Sequence, residues 1–253
     1  MNIHGANILI TGGAGVLGRS FAFHLASGGA QILVCDKNED ALERVIQEAQ
    51  QRRLSVATYH ADIGQEGDVT ELFGAFVDQF GRVDVVINNA GVAEDGLLIK
   101  KKGDHYERFP LSRWQKGLSI NLTGIFLCGR EGAFHMARQG TGGLIINISS
   151  ISRHGNFIQS NYSATKAAIV ALTVVWAKEL SRYNIRSVAV APGYIDTLLT
   201  RNIPEDIRNR ILIPQIPLAR LGRIDEVTHA ICFVIENDYF NGRVIDLDGG
   251  LRL

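Results

Sequence analysis

"TGGAGVLGRS", residues 11–20, stands between the apolar run "NILI" (7–10) and the segment "FAFHLA" (21–26). Glycines at 12, 13, 15 and 18, set between a strand-like and a helix-like stretch, predict a turn whose backbone approaches a phosphate group. The ten residues fit two patterns. Gly13, Gly15 and Gly18 spell G-x-G-x-x-G, while Thr11, Gly12, Gly15 and Gly18 spell T-G-x-x-G-x-x-G. A glycine loop alone also fits an ordinary tight turn, so its meaning depends on the rest of the chain.

Outward from that loop, strand-like runs recur: "NILIT" (7–11), "QILVCD" (31–36), "SVATYHA" (55–61), "DVVINN" (84–89), "GLIINIS" (143–149), "RSVAVA" (186–191) and "RVIDLD" (243–248). Most are continuously apolar rather than alternating, as parallel strands covered on both faces must be. Helical periodicity fills the gaps at 16–26, 39–50, 69–80, about 113–138, 162–182 and 224–236. Strand and helix in alternation predict an α/β fold, a doubly wound parallel sheet of seven strands with helices on both faces. No linker, low-complexity tract or internal repeat interrupts it, so one domain over 1–253 is expected.

Lys plus Arg and Asp plus Glu both total 26, so the chain has no net charge with which to attract nucleic acid or anionic lipid. No apolar run is long enough to span a bilayer. "MNIHGANILITGG" reaches its first strand without the pattern of a signal peptide. Cys35, Cys128 and Cys232 are odd in number, far apart and free of any C-x-x-C, so neither a disulfide frame nor a metal site is expected. A cytoplasmic protein acting on a small molecule follows, with no nucleic-acid or membrane partner.

Asp36 ends the second strand, 24 residues after Gly12 (36 − 12). A carboxylate there accepts hydrogen bonds from ribose hydroxyls and repels a 2′-phosphate, which favours NAD(H). Lys37 beside it keeps NADP(H) possible. Asp62 with the Ile63 backbone ends the third strand, placed either to bracket an adenine or to cap a helix. The fourth strand runs into "NNAG" (88–91), whose small residues Asn89, Ala90 and Gly91 permit close contact with a flat ligand. In "SNYSATKAA", Tyr162 and Lys166 lie four apart at a helix start and so share one face. A free phenol titrates near ~10, and a neighbouring cation favours its ionised form. Ser149 lies 13 residues before Tyr162 (162 − 149), with a hydroxyl suited to holding a carbonyl oxygen.

"TGGAGVLG", "NNAG", "INLTG", Ser149, "YSATK" and "APGYIDT" occur in the order and spacing of short-chain dehydrogenases/reductases, and the resemblance covers essentially the whole chain. It implies a Rossmann-type fold and a catalytic tetrad of Asn121, Ser149, Tyr162 and Lys166. In that reading Tyr162 exchanges a proton with the substrate oxygen. Lys166 lowers the phenol's pKa and holds the nicotinamide ribose, Ser149 orients the substrate, and Asn121 positions a water leading from Lys166 to solvent. Gly12, Gly15, Leu17 and Gly18 would hold the pyrophosphate end, and Pro192, Gly193, the Ile195 backbone and the Thr197 hydroxyl the nicotinamide end. A homotetramer or homodimer is also implied.

Two features depart from the family's plain pattern. Position 16 is Val where a glycine is usual, so Val16 is expected to open the helix with ordinary helical backbone. Gly91 to Asn121 spans 30 residues (121 − 91), with extra chain at about 99–109, "IKKKGDHYERF". That segment reads as a solvated hairpin tip or as a rim that meets a carrier protein or a coenzyme A phosphate. Residues 194–222 resemble the family's substrate lid. Leu198, Leu199, Ile203, Ile207, Ile211, Leu212 and Ile213 in it suit an apolar, acyl substrate, or simply pack the lid down. "GVAEDGLL", "INLTGIFLCGRE" and the tail resemble bacterial 3-oxoacyl-thioester reductases. The expected substrate is therefore an acyl thioester on coenzyme A or acyl carrier protein, with another small alcohol, sugar or steroid as the alternative. T-G-x-x-G-x-x-G also occurs in nucleotide-sugar epimerases, but the short tail beyond the seventh strand is not expected to supply their second domain. A non-catalytic dinucleotide sensor would not need the tetrad.

Overall fold

The computed structural model describes all 253 residues except the side chains of Leu198 and Leu199, so the expectations placed on those two lie outside the described residues. Seven strands form one parallel sheet: β1 (Asn7–Thr11), β2 (Gln31–Asp36), β3 (Val56–His60), β4 (Val85–Asn88), β7 (Gly143–Ile148), β8 (Ile185–Pro192) and β9 (Val244–Leu247). Their spatial order is β3-β2-β1-β4-β7-β8-β9. The chain leaves β1 in one direction and returns through β4 in the other, which makes the C-terminal ends of β1 and β4 the switch point where α/β sheets bind ligands.

Strand alternation divides the core into two. Ile8, Ile10, Ile32, Val34, Val85 and Ile87 pack beneath α1 (Val16–Ser27), α2 (Glu39–Gln51) and α10 (Ile224–Glu236). Leu9, Leu33, Val86 and Ile145 face the opposite layer, α3 (Glu66–Phe80), α5 (Ile125–Gln139) and α6 (Ser160–Glu179). Both faces are dry, which is why the strand sequences read as unbroken apolar runs.

The extra segment is an antiparallel hairpin, β5 (Ile99–Lys102) and β6 (His105–Arg108), with all eight strand residues exposed. After it, α4 (Leu111–Leu118) passes through a π-helical turn, Ser119–Gly124, into α5. A single helix is expected over 113–138, and the widened turn at "SINLTG" is a feature that apolar periodicity does not show. Residues 194–222 carry the short helices α7 (Leu198–Arg201), α8 (Glu205–Ile207) and α9 (Ile213–Gln215). No helix among the described residues is long and apolar enough to cross a membrane.

Candidate active site

The loop after β1 resolves the two glycine patterns. Gly12 has φ +59°, and a Cβ there would lie 2.6 Å from the Ala90 Cα. A Cβ on Gly18 would lie 2.6 Å from both the Gly12 carbonyl oxygen and the Gly13 Cα. Gly13 instead packs on β2, where a Cβ would strike Val34. Gly12, Gly15 and Gly18 are thus the glycines of the cradle, in the T-G-x-x-G-x-x-G register. Val16 is the first residue of α1 and is not among the residues of positive φ, as expected. Gly15 caps α1 without any side-chain bond and no acidic residue sits in the first turn, so the helix's first N–H groups remain available to an anion.

A cavity of about 420 Å³ opens above this cradle. Gly12, Gly15 and Leu17 form its floor, Asp36, Asp62 and Ile63 one end, and Asn89, Ala90, Gly91 and Thr197 the other. Asp36 Oδ2 accepts from the Ala14 N–H at 3.3 Å and Oδ1 from the Asn38 N–H at 3.2 Å, which aligns the carboxylate along the cavity end. Asp62 Oδ1 accepts from the Gly64 N–H at 3.0 Å, while the N-cap of α3 is Gln65, so Asp62 is no cap. Asn89 Nδ2 donates to the Thr11 and Gly12 carbonyls at 3.1 and 3.0 Å, tying the "NNAG" turn to the glycine loop. The glycines that a Cβ would close, the open helix end and the carboxylate at the far side fit an adenine dinucleotide.

A second cavity, of about 370 Å³, shares Leu17, Asn89, Gly91 and Thr197 with the first and contains Tyr162. Pro192, Gly193 and Ile195 line it at the end of β8. The Ile195 carbonyl is already taken by Thr200 Oγ1 at 2.6 Å. One turn of α6 brings Lys166 Nζ to 5.5 Å from the centroid of the Tyr162 ring. Lys166 is buried and donates to the Ile148 carbonyl at 2.7 Å. Burial pulls its amine down to about 8. Burial pushes the Tyr162 phenol up, a hydrogen bond with Ser150 opposes that, and the Asp95 carboxylate adds to it. The sequence leads one to expect a phenol lowered by Lys166. In the protein alone desolvation dominates, Lys166 being buried and Tyr162 half-buried.

Ser149 is not the serine at the phenol. Its Oγ donates to the Lys166 carbonyl at 2.8 Å and so braces α6 against β7. Ser150, beside it in the cavity lining, is the serine whose hydroxyl acts to lower the pKa of the Tyr162 phenol. Consecutive residues leaving a strand point to opposite sides, and a spacing of 13 residues cannot tell which of the pair meets the cleft. Asn121 has a structural engagement that the sequence did not indicate. It is fully buried, its Oδ1 accepts from the Val92 N–H and its Nδ2 donates to the Val92 carbonyl, both at 2.8 Å. The side chain therefore brackets the loop that carries Gly91.

Sequence reasoning missed two further sets. A buried relay, Asn88 Nδ2 to Asn147 Oδ1 (2.9 Å) and Asn147 Nδ2 to Thr173 Oγ1 (3.0 Å), pins β4, β7 and α6 together below the site. The wall facing Tyr162 is polar: Asn156 Nδ2 donates to Gln159 Oε1 (3.1 Å) and Tyr194 Oη (3.2 Å), and Gln159 Nε2 donates to Asp95 Oδ2 (3.1 Å). Clustered polar residues in "GNFIQSN" (155–161) were the available signal. Among the lid's apolar residues with described side chains, Ile203 reaches the cavity. Ile207 and Ile211 are exposed and Leu212 is buried, so they pack or face water.

A switch-point cleft that joins a dinucleotide cradle to a tyrosine with a buried lysine one turn away defines an NAD(P)-type oxidoreductase acting on CH–OH groups. A model of the short chain dehydrogenase family matches residues 6–208. The chain is 35% identical to the 3-oxoacyl-[acyl-carrier-protein] reductase FabG of Thermotoga maritima, over 99% of each chain. It is 33% identical to the FabG of Staphylococcus epidermidis, over 97% of this chain and 98% of that one. A short-chain type dehydrogenase/reductase from Mycobacterium marinum superposes with a TM-score of 0.87 at 32% identity, covering 98% of this chain and 96% of that one. An NAD+-bound xylitol dehydrogenase gives 0.88 at 26% identity, over 99% and 100%. The protein belongs to the short-chain dehydrogenase family.

Proposed function

We propose that the protein is an NAD(H)-linked oxidoreductase that interconverts a 3-oxoacyl and a 3-hydroxyacyl thioester, with Tyr162 as the acid and base. The Tyr162–Lys166 pair at the floor of a cleft continuous with the dinucleotide cavity carries this reading. A bound nicotinamide dinucleotide would supply or accept the hydride. The chain's own part is the proton. Tyr162 Oη gives it to the carbonyl oxygen in reduction and takes it from the hydroxyl in oxidation. Ser150 holds the same oxygen, and Ser149 and the Ile148 carbonyl fix Lys166 beside the phenol. The single negative charge at Asp36 disfavours a 2′-phosphate and supports NAD(H) over NADP(H). The thioester follows from full-length similarity to the two reductases.

A second reading has its own observation. The polar wall of Asp95, Asn156, Gln159 and Tyr194 suits a polyhydroxylated alcohol, the class named for the xylitol enzyme. NADH oxidation with acetoacetyl-CoA, with long-acyl carrier thioesters and with a panel of ketoses and simple ketones decides between them. Turnover confined to the last two groups would overturn the thioester reading. Tyr162→Phe should lower turnover about 10²- to 10⁴-fold while NADH still binds; a sensor would bind NADH and turn over nothing even as wild type.

A further inference from the structure

The hairpin β5–β6 follows closely in the chain on a wall of the substrate cavity. Asp95 and Gln159 line that cavity. Next to Asp95, the Gly96 N–H donates to the Ile158 carbonyl at 2.7 Å, and the Phe109 N–H closes the hairpin's base on the Leu98 carbonyl at 2.9 Å. Ile99 follows Asp95 by four residues (99 − 95), so at most about 14 Å of chain separates the hairpin from the cavity wall.

The two faces of the hairpin differ. Directly opposed residues share a face, and the register pairs Ile99 with Arg108 and Lys101 with Tyr106. One face therefore shows Ile99, Lys101, Tyr106 and Arg108. The other shows Lys100, Lys102, His105 and Glu107, where Lys102 and Glu107 form an ion pair at 3.1 Å. Among the described residues, neither Lys101 nor Arg108 has an ion-pair partner, and Tyr106 is 67% exposed. Leu98, at the hairpin's base, and Phe157, next in the chain to the cavity residue Asn156, are also exposed apolar side chains. A lone two-stranded hairpin with neither face buried gains little by itself, and an exposed aromatic flanked by two unpaired cations is a surface for a phosphorylated aromatic ring.

We propose that the face formed by Ile99, Lys101, Tyr106 and Arg108 binds the adenine nucleotide end of a coenzyme A thioester whose acyl end lies at Tyr162. The inference rests on the thioester reading of the site and names its carrier. Tyr106 stacks on the adenine, Lys101 and Arg108 meet its phosphates, and the pantetheine arm runs past the exposed Leu98 and Phe157 to the cavity. Coenzyme A fits better than a carrier protein. Two cations and one ring match a nucleotide, whereas a stable protein contact needs a surface of ~1,000 Å² or more, and the chain's zero net charge supplies no wider field for an acidic partner.

The test compares acetoacetyl-CoA, acetoacetyl-pantetheine and acetoacetyl-[acyl carrier protein] on the full chain with NADH, in wild type and in a Lys101→Ala/Tyr106→Ala/Arg108→Ala variant. All three positions are exposed, so the variant should keep its fold and its thermal midpoint. The wild type should show a KM for the coenzyme A ester about tenfold below that of the pantetheine ester, a preference that weakens with salt. In the variant that preference should vanish while kcat and the pantetheine KM stay as they were. Equal KM values for the two esters in wild type, or a preference that survives the triple substitution, would overturn the inference and leave the thioester reading standing. So would a variant defect confined to the carrier-protein ester, which would make a protein the occupant. Turnover of none of the three esters by wild type would overturn the thioester reading and the inference with it.

Discussion

Replacing Asn121 by Ala separates two roles for this residue. If it only positioned a water near Lys166, the variant would lose activity and keep its stability. The structure assigns the side chain a bracket on Val92, with one bond accepted and one donated, both at 2.8 Å. Removing it leaves the N–H and the carbonyl of one partly buried residue without partners, behind a fully buried position. Two such bonds at about 1 kcal/mol each, with the added penalty of unpaired groups, give a loss of about 3 kcal/mol. In a domain of this size each kcal/mol lowers the midpoint by roughly 2–4 °C, so the fall should be about 6–12 °C. Because Gly91 and Val92 line both cavities, dinucleotide affinity should fall along with stability. Differential scanning calorimetry and NADH fluorescence titration measure both. A variant that melts within about 1 °C of wild type and binds NADH normally, yet turns over at least a hundredfold more slowly, would refute the bracket.

Asp36→Asn keeps an oxygen for one of the Ala14 and Asn38 N–H groups, which bond different carboxylate oxygens, and removes the charge. The ratio of kcat/KM for NADP(H) to that for NAD(H) should rise at least about tenfold, and an unchanged ratio would mean that Asp36 does not face the ribose. Lys166 has its amine pulled down to about 8 by burial, so it loses charge as the pH rises through that value. Lys166→Met should move the rising limb of alcohol oxidation to higher pH, since the phenol, already pushed up by desolvation, then ionises with no cation beside it. A limb in its original place would confine the lysine to its bond with Ile148. Gly18→Ala forces a Cβ within 2.6 Å of two backbone atoms and should cost about 1–3 kcal/mol together with dinucleotide binding. Gly74→Ala, in α3 with nothing within 4 Å, should instead stabilise by about 0.5–1 kcal/mol in urea unfolding.

The sequence by itself determined the strands, the helices and their alternation. Each strand is buried on both faces and so carries an unbroken apolar run, and each covering helix must repeat its apolar residues every turn. It also determined that Tyr162 and Lys166 share a face, because four residues is about one helical turn. It placed the cradle in the loop after β1 and Val16 at the start of α1, since φ is restricted for a β-branched residue. Tertiary structure alone decided which glycine register faces the cleft, because that turns on where Gly13 meets Val34 of the neighbouring strand. It likewise chose Ser150 over Ser149 and engaged Asn121 with a loop 29 residues away. It set Asp95, Asn156 and Gln159 as a polar stretch in a cavity otherwise lined by Leu17, Val92, Ile148, Ile151, Ile195 and Ile203. These are matters of which way a side chain points and what lies opposite it. Spacing along a chain fixes period but not phase, and hydrogen bonds between distant segments leave no periodic trace in the letters that make them.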